Sequence, residues 1–296
     1  RDYWFFFESV SLPPPEPMRV LLLCAAVAVA FAATCQQYGS SNDWFMQGTY
    51  LMVGVAKEGC LGSRSSVPSG MPYATVRPQR AGLIVDQDGW GTGEARKAGD
   101  FTLPGTEEEG WGVQYTYGGA LKTYNNNLRS RLTQIPVASI TGAESTPEVA
   151  KVRYIGTTSE GLKVDTLISL PQEAKYVQFD VELTNTASSE MKTVYYIRNV
   201  DPDQDADITT GRTHTTVNSI VNTFEAGDSH ALVSALGPKT GIFVGLISTD
   251  SRALPSTGGF SERNPATIVA DTKASTKYYT RRKSTRLNSS HVAISY

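Results

Sequence analysis

In the stretch KYVQFDVELTN, residues 175–185, apolar and polar side chains alternate: Val177, Phe179, Val181 and Leu183 fall on one side, Gln178, Asp180, Glu182 and Thr184 on the other. Successive side chains of a strand point to opposite faces, so this run fits a half-buried antiparallel strand and not a helix. GLKVDTLISL repeats the pattern. Leu162, Val164, Thr166, Ile168 and Leu170 stand opposite Lys163, Asp165 and Ser169, and Leu167 interrupts the polar side. Between Leu183 and Val194 the segment TNTASSEMKT supplies turn residues, which predicts a hairpin with VYYIRNV. Further strand candidates lie at 49–56, 81–86, 111–117, 149–155, 215–224, 230–236 and 240–248, nearly all set off by Gly, Pro, Asn, Asp or Ser. Outside one apolar run near the start, no dozen-residue window carries a 3.6-residue apolar period. The expectation is an all-β chain, an antiparallel β-sandwich or supersandwich of about ten strands or more.

Composition narrows the function classes. The chain has 296 residues, 40% of them hydrophobic, enough to bury a core in one large domain or two small ones. Twenty-seven Lys and Arg face 29 Asp and Glu for a net charge of −2, so no basic surplus exists for nucleic acid. The polar, glycine-rich stretch 87–110 reads as a surface loop within one domain, because the segment before it is too short to close a sandwich of its own.

The two ends read differently from the middle. Residues 1–17, RDYWFFFESVSLPPPEP, stop directly before Met18 and read as sequence upstream of the natural start. From Met18 the chain has Arg19, an apolar run from Val20 to Phe31, and small residues Ala30, Ala32 and Ala33, the pattern of a secretory signal peptide over 18–33. A membrane span is the alternative, but a bilayer needs roughly 20 apolar residues, and this run has about a dozen. Cys35 just past the cleavage point raises a lipid anchor, against which stands Thr34 where Ala or Gly is expected. At the far end KSTRLNSSHVAISY resembles a translated library-adapter fragment, which sets 284–296 apart. The domain is then 34–283, secreted or at the cell surface. It retains Cys35 and Cys60, which in an oxidising compartment most simply form one disulfide; two unpaired thiols are the alternative.

The sharpest polar cluster is DPDQDAD, where Asp201, Asp203, Asp205 and Asp207 alternate directly after a strand. Close carboxylates repel, and hard oxygen ligands on a short loop suit calcium. Ala206 and Arg212 stand where an EF-hand wants Gly and Glu, so the register is not that of an EF-hand. A solvated acidic turn, with Arg198 and Arg212 offsetting its charge, is the rival. Asp86 and Asp88 in DQDGW read as a hairpin turn, and Glu107, Glu108 and Glu109 as a solvated charge run. Trp44, Trp90, Trp111, Tyr115 and Tyr117, with Tyr124 close by, are candidates for a glycan-binding face, although Trp111 and Tyr115 fit core filling equally well. No catalytic residue is assigned: G-x-S-x-G and H-E-x-x-H are absent from the sequence, and His214 and His230 stand alone. A carboxylate-pair glycosidase leaves no local motif and stays open.

The stretch VQFDVELTNTASSEMKTVYYIRNVDPD resembles the strand, turn, strand signature of conserved-repeat sandwich domains on bacterial surface proteins, over about 27 of the 296 residues. That resemblance implies an extracellular, non-catalytic module with a structural or adhesive role, whose partner is an extracellular glycan or surface protein. Val149 to Asp203, with IGTTSEGL at a turn, also looks like the middle strands of galactose-mutarotase-like supersandwiches, which implies carbohydrate binding or carbohydrate-active chemistry. That family's catalytic His and Glu have no matching motif here.

Overall fold

The computed structural model describes residues 2–6, 32–71, 80–90, 98–100, 102, 109–128, 132–202, 217–238, 241, 243–258, 263–274 and 289–295. With 56% strand and 4% helix in several antiparallel sheets and no barrel, the chain is all-β. The largest sheet runs, in order across it, β10 (Val137–Thr141), β11 (Val149–Thr157), β12 (Leu162–Pro171), β13 (Tyr176–Asn185), β1 (Asp2–Phe6), β17 (Phe243–Ser248), β16 (Ala231–Leu236) and β15 (Val217–Asn222). A second runs β18 (Ala253–Gly258), β19 (Ser289–Ser295), β14 (Met191–Val200), β7 (Glu109–Tyr117), β8 (Ala120–Asn127) and β9 (Leu132–Thr133). The third runs β2 (Thr34–Tyr38), β3 (Asp43–Gln47), β4 (Leu51–Val55), β5 (Leu83–Asp86) and β6 (Ala98–Asp100).

Alternation in sequence becomes alternation in burial. In β13, Val177, Phe179 and Val181 are buried while Gln178, Asp180 and Glu182 are not. One apolar cluster draws on all three sheets: Leu51, Val53 and Val55 from β4, Trp111, Val113 and Tyr115 from β7, and Val152, Ile168 and Phe179 from the largest sheet. β4 is buried on both faces, because Met52 packs the other way against Phe45 and Ile84. The β7–β8 connection is a two-residue turn, Gly118 and Gly119 with φ of 57° and 79°, values that glycine adopts without strain.

The hairpin expected between residues 177–183 and 194–200 does not form. β13 has both edges filled, by β12 and β1, and β14 lies in the second sheet between β7 and β19. The turn residues carry the chain across instead. Asn185 accepts from the Ala187 N–H at 3.0 Å and donates to Ser189 O at 2.9 Å, while Thr186 ties the crossing to Gly161 O on the β11–β12 turn through N–H and hydroxyl bonds of 2.8 and 2.7 Å. β14 then enters its sheet through a register shift between Lys192 and Tyr195, where Thr193 has φ of 50°.

Both segments that the sequence sets apart contribute strands: β1 pairs with β13 and β17, β19 with β14 and β18. Among the described residues no helix is long and apolar enough to cross a membrane. One helix, α1 (Pro265–Ala274), has no counterpart in the sequence reading. It packs Ile268 and Val269 on Ile197 of β14. Asn264 is its N-cap, with Oδ1 accepting from the Ala266 and Thr267 N–H groups at 3.1 and 3.3 Å, and Pro265 follows in the first helical position. Gln114 of β7 fastens the cap by donating to Asn264 Oδ1 at 2.9 Å and accepting from Ala266 N–H at 3.1 Å. Replacing Asn264 with Ala is expected to cost about 1 kcal/mol or somewhat more in a denaturant melt, since cap and Gln114 contact go together.

Candidate functional site

The densest polar chemistry lies in the interior, where the loop after β4 meets β7 and β14. Arg198 and Glu109 are both fully buried, with Nε to Oε1 at 2.6 Å and Nη2 to Oε2 at 3.1 Å. The guanidinium also donates to Gly59 O and Tyr196 Oη, each at 3.2 Å, and lies over the Phe179 ring with its carbon 3.6 Å from the centroid. Burial works against its charge, but Glu109 and Tyr196 outweigh that and hold its pKa above the ordinary arginine value. Glu109 Oε2 accepts from the Leu61 N–H at 2.5 Å.

A second pair sits beside the first. Glu58, also fully buried, takes two bonds from Arg64 Nη1 at 2.7 and 2.9 Å and one from Thr133 at 3.0 Å. Its backbone oxygen accepts from Trp111 Nε1 at 3.0 Å and Asn126 Nδ2 at 3.2 Å. The loop that carries Glu58 closes through Gly59 N–H to Ala56 O and Ala56 N–H to Cys60 O. Gly59 has φ of 72°, and a Cβ there would stand 2.9 Å from the Tyr154 ring, so both backbone and space require glycine.

These contacts revise three expectations. Glu109 is no part of a solvated run; Glu107 and Glu108 lie outside the described residues. Arg198, expected beside the acidic loop, is bound to Glu109 in the interior. Cys35 and Cys60 are free thiols with separate partners, so the expected disulfide is not formed. Cys60 donates to Asn126 O at 3.3 Å, and Cys35 to Lys151 O at 3.4 Å. Burial pushes the Cys60 thiol well up and the Glu109 carboxylate adds to the shift, so it stays protonated and unreactive.

The remaining sequence candidates scatter. Asp201 is buried at the end of β14; Asp203, Asp205 and Asp207 lie outside the described residues, as do His214 and Arg212. Among the described residues no group of three or more His, Cys, Asp or Glu is placed to hold a metal. Asp86 and Gly89 make the turn that the sequence suggests, Gly89 N–H to Asp86 O at 3.3 Å. Trp111 and Tyr115 are 2% and 0% exposed, which leaves no ring face for a sugar. Trp44 is half-buried against Gly142, Tyr117 is half-buried against the main core, and Trp90 packs against the small cluster that contains Phe45, Met52 and Ile84 and donates to Gly48 O at 2.7 Å.

A smaller cluster joins the β7–β8 hairpin to the β11–β12 turn. Glu160 accepts from Tyr124 at 2.5 Å, Ser159 at 2.9 Å and Tyr115 at 3.1 Å, and pairs with Lys122 at 3.0 Å. The Tyr124 hydroxyl above all, with Lys122, Ser159 and Tyr115, holds its pKa down at about 2 against desolvation. Glu160 is therefore an ionised clamp and not a proton donor at neutral pH. Nothing in the sequence pattern marks it, since Tyr115, Lys122 and Tyr124 come from another hairpin.

No protein-family model matches the chain, and no curated protein matches it.

Two outcomes test these assignments. Arg198→Met or Glu109→Leu alone leaves a buried charge unpaired and is expected to cost about 3–5 kcal/mol by urea denaturation, while the double variant recovers much of that loss. For Glu160, a folded pKa of about 2 lies below the ordinary 4.5, so its stabilisation is complete above that ordinary value and is lost as pH falls toward 2. The difference in melting temperature between wild type and Glu160→Gln should shrink over that window.

Proposed function

We propose that this chain is an exported, non-catalytic β-sandwich module that serves a structural or adhesive role at the cell surface or in secreted material. The observation that carries the reading is the interior node. Its Glu109–Arg198 pair is turned inward and ties elements of different sheets together, which suits a rigid scaffold. The sandwich arrangement is supported by the apolar cluster shared among the three sheets. Export rests on the apolar run from Val20 to Phe31 and the small residues after it.

Calcium at the acidic loop belongs to the same proposal. Asp201 is buried just after β14, which places the start of the loop against the body of the fold. Calcium at a hundredfold excess over its dissociation constant is expected to stabilise the fold by about 2.7 kcal/mol. Thermal melts with calcium and with chelator read this directly; superimposed curves remove calcium from the proposal. A glycan array and a panel of glycoside substrates test the rest. Turnover of any sugar by purified protein overturns the non-catalytic reading, and sugar binding without turnover replaces the structural role with carbohydrate recognition.

A further inference from the structure

β15 ends the largest sheet and pairs, among the described residues, with β16 alone. An open edge presents unpaired N–H and C=O groups, and edge strands are usually blunted with charge or proline. β15 reads Val-Asn-Ser-Ile-Val-Asn and has neither. Its one guard is a register shift between Ile220 and Asn222. The strand alternates: Ile220 packs toward the core, while Val217 and Val221 are 50% and 53% exposed. On β16, Leu236 stands opposite Val217 and is 41% exposed, which widens the apolar strip.

We propose that β15 is a self-association edge, to which a second copy of this chain adds its own β15 antiparallel. The argument for a second copy is the strand's complementarity to itself. A two-fold axis at Ser219 places Val217 of each copy opposite Val221 of the other, with the two Ser219 residues facing one another. Directly opposed residues share a face, so the exposed valines cover each other. A slip of one residue would set Val217 against Asn222 and mix the faces. The strand holds no charge, so no like charges meet. On the inner face the Asn218 amide nitrogen and oxygen are shielded from solvent without a hydrogen-bond partner. In this register each Asn218 lies diagonally across from the other, within reach of an amide–amide pair. The contact is isologous and closes at two copies.

The test uses charge exchange at exposed positions that the core does not need. Wild-type protein should sediment as a dimer across a concentration series. Val217→Lys with Val221→Lys sets lysine against lysine at both opposed pairs, and association should weaken about tenfold or more. The matching glutamate double variant should weaken likewise, and an equimolar mixture of the two should recover the dimer. Ser219→Cys should give a disulfide-linked dimer on mild oxidation, whereas Ser234→Cys on β16 should not. A wild-type monomer at every concentration, a lysine variant that dimerises as tightly as wild type, or a mixture that stays monomeric overturns the proposal.

Discussion

The Arg198–Glu109 pair is the contact on which the arrangement of sheets turns. Glu109 opens β7, Arg198 lies near the end of β14, Gly59 belongs to the loop after β4, and Phe179 belongs to β13. One guanidinium thus reaches a neighbouring strand of its own sheet and elements tied to the other two sheets. Apolar packing alone would let sheets slide against one another, because it has no direction. A buried, hydrogen-bonded ion pair has direction, and loses heavily if displaced. Glu58 and Arg64 repeat the device at the same loop, so the region between β4 and the β7–β14 pair is fixed at two points.

The surface clamp at Glu160 works by the same logic in a wetter place. Its acceptor oxygens draw hydroxyls and an ammonium from β7 and β8 to a turn of the largest sheet. Each bond there is individually modest because solvent competes. Their number, converging on one carboxylate, is what fixes the turn.

The strands were legible where burial is one-sided. The pattern from Val177 to Leu183 marks β13, and Leu162 to Leu170 marks β12, because each has one polar face. β2, written Thr-Cys-Gln-Gln-Tyr, is largely exposed and offers no alternation to read. Among the described side chains of α1, Ile268 and Val269 are the buried apolar contacts, adjacent residues that make no helical stripe, although the Asn264–Pro265 start was a usable signal. The turn between β13 and β14 was legible as a turn, yet its residues do not say which sheet the next strand enters. The node was least legible of all. Glu109 ends a run of three glutamates and looks like solvated charge, and the arginine that reverses this reading is 89 residues away.

That separation also sets the order in which the molecule can assemble. The bond from Arg198 to Gly59 spans 139 residues, and the Asn126 and Trp111 bonds to Glu58 span 68 and 53. Contacts so distant along the chain form only after large loops close, which slows folding. Until β14 has been made, Glu109 has no Arg198 to pair with, whereas Glu58 already has Arg64 six residues along the chain. The stretch between Gly59 and Arg198 is thus a long loop that must close before the interior node is complete.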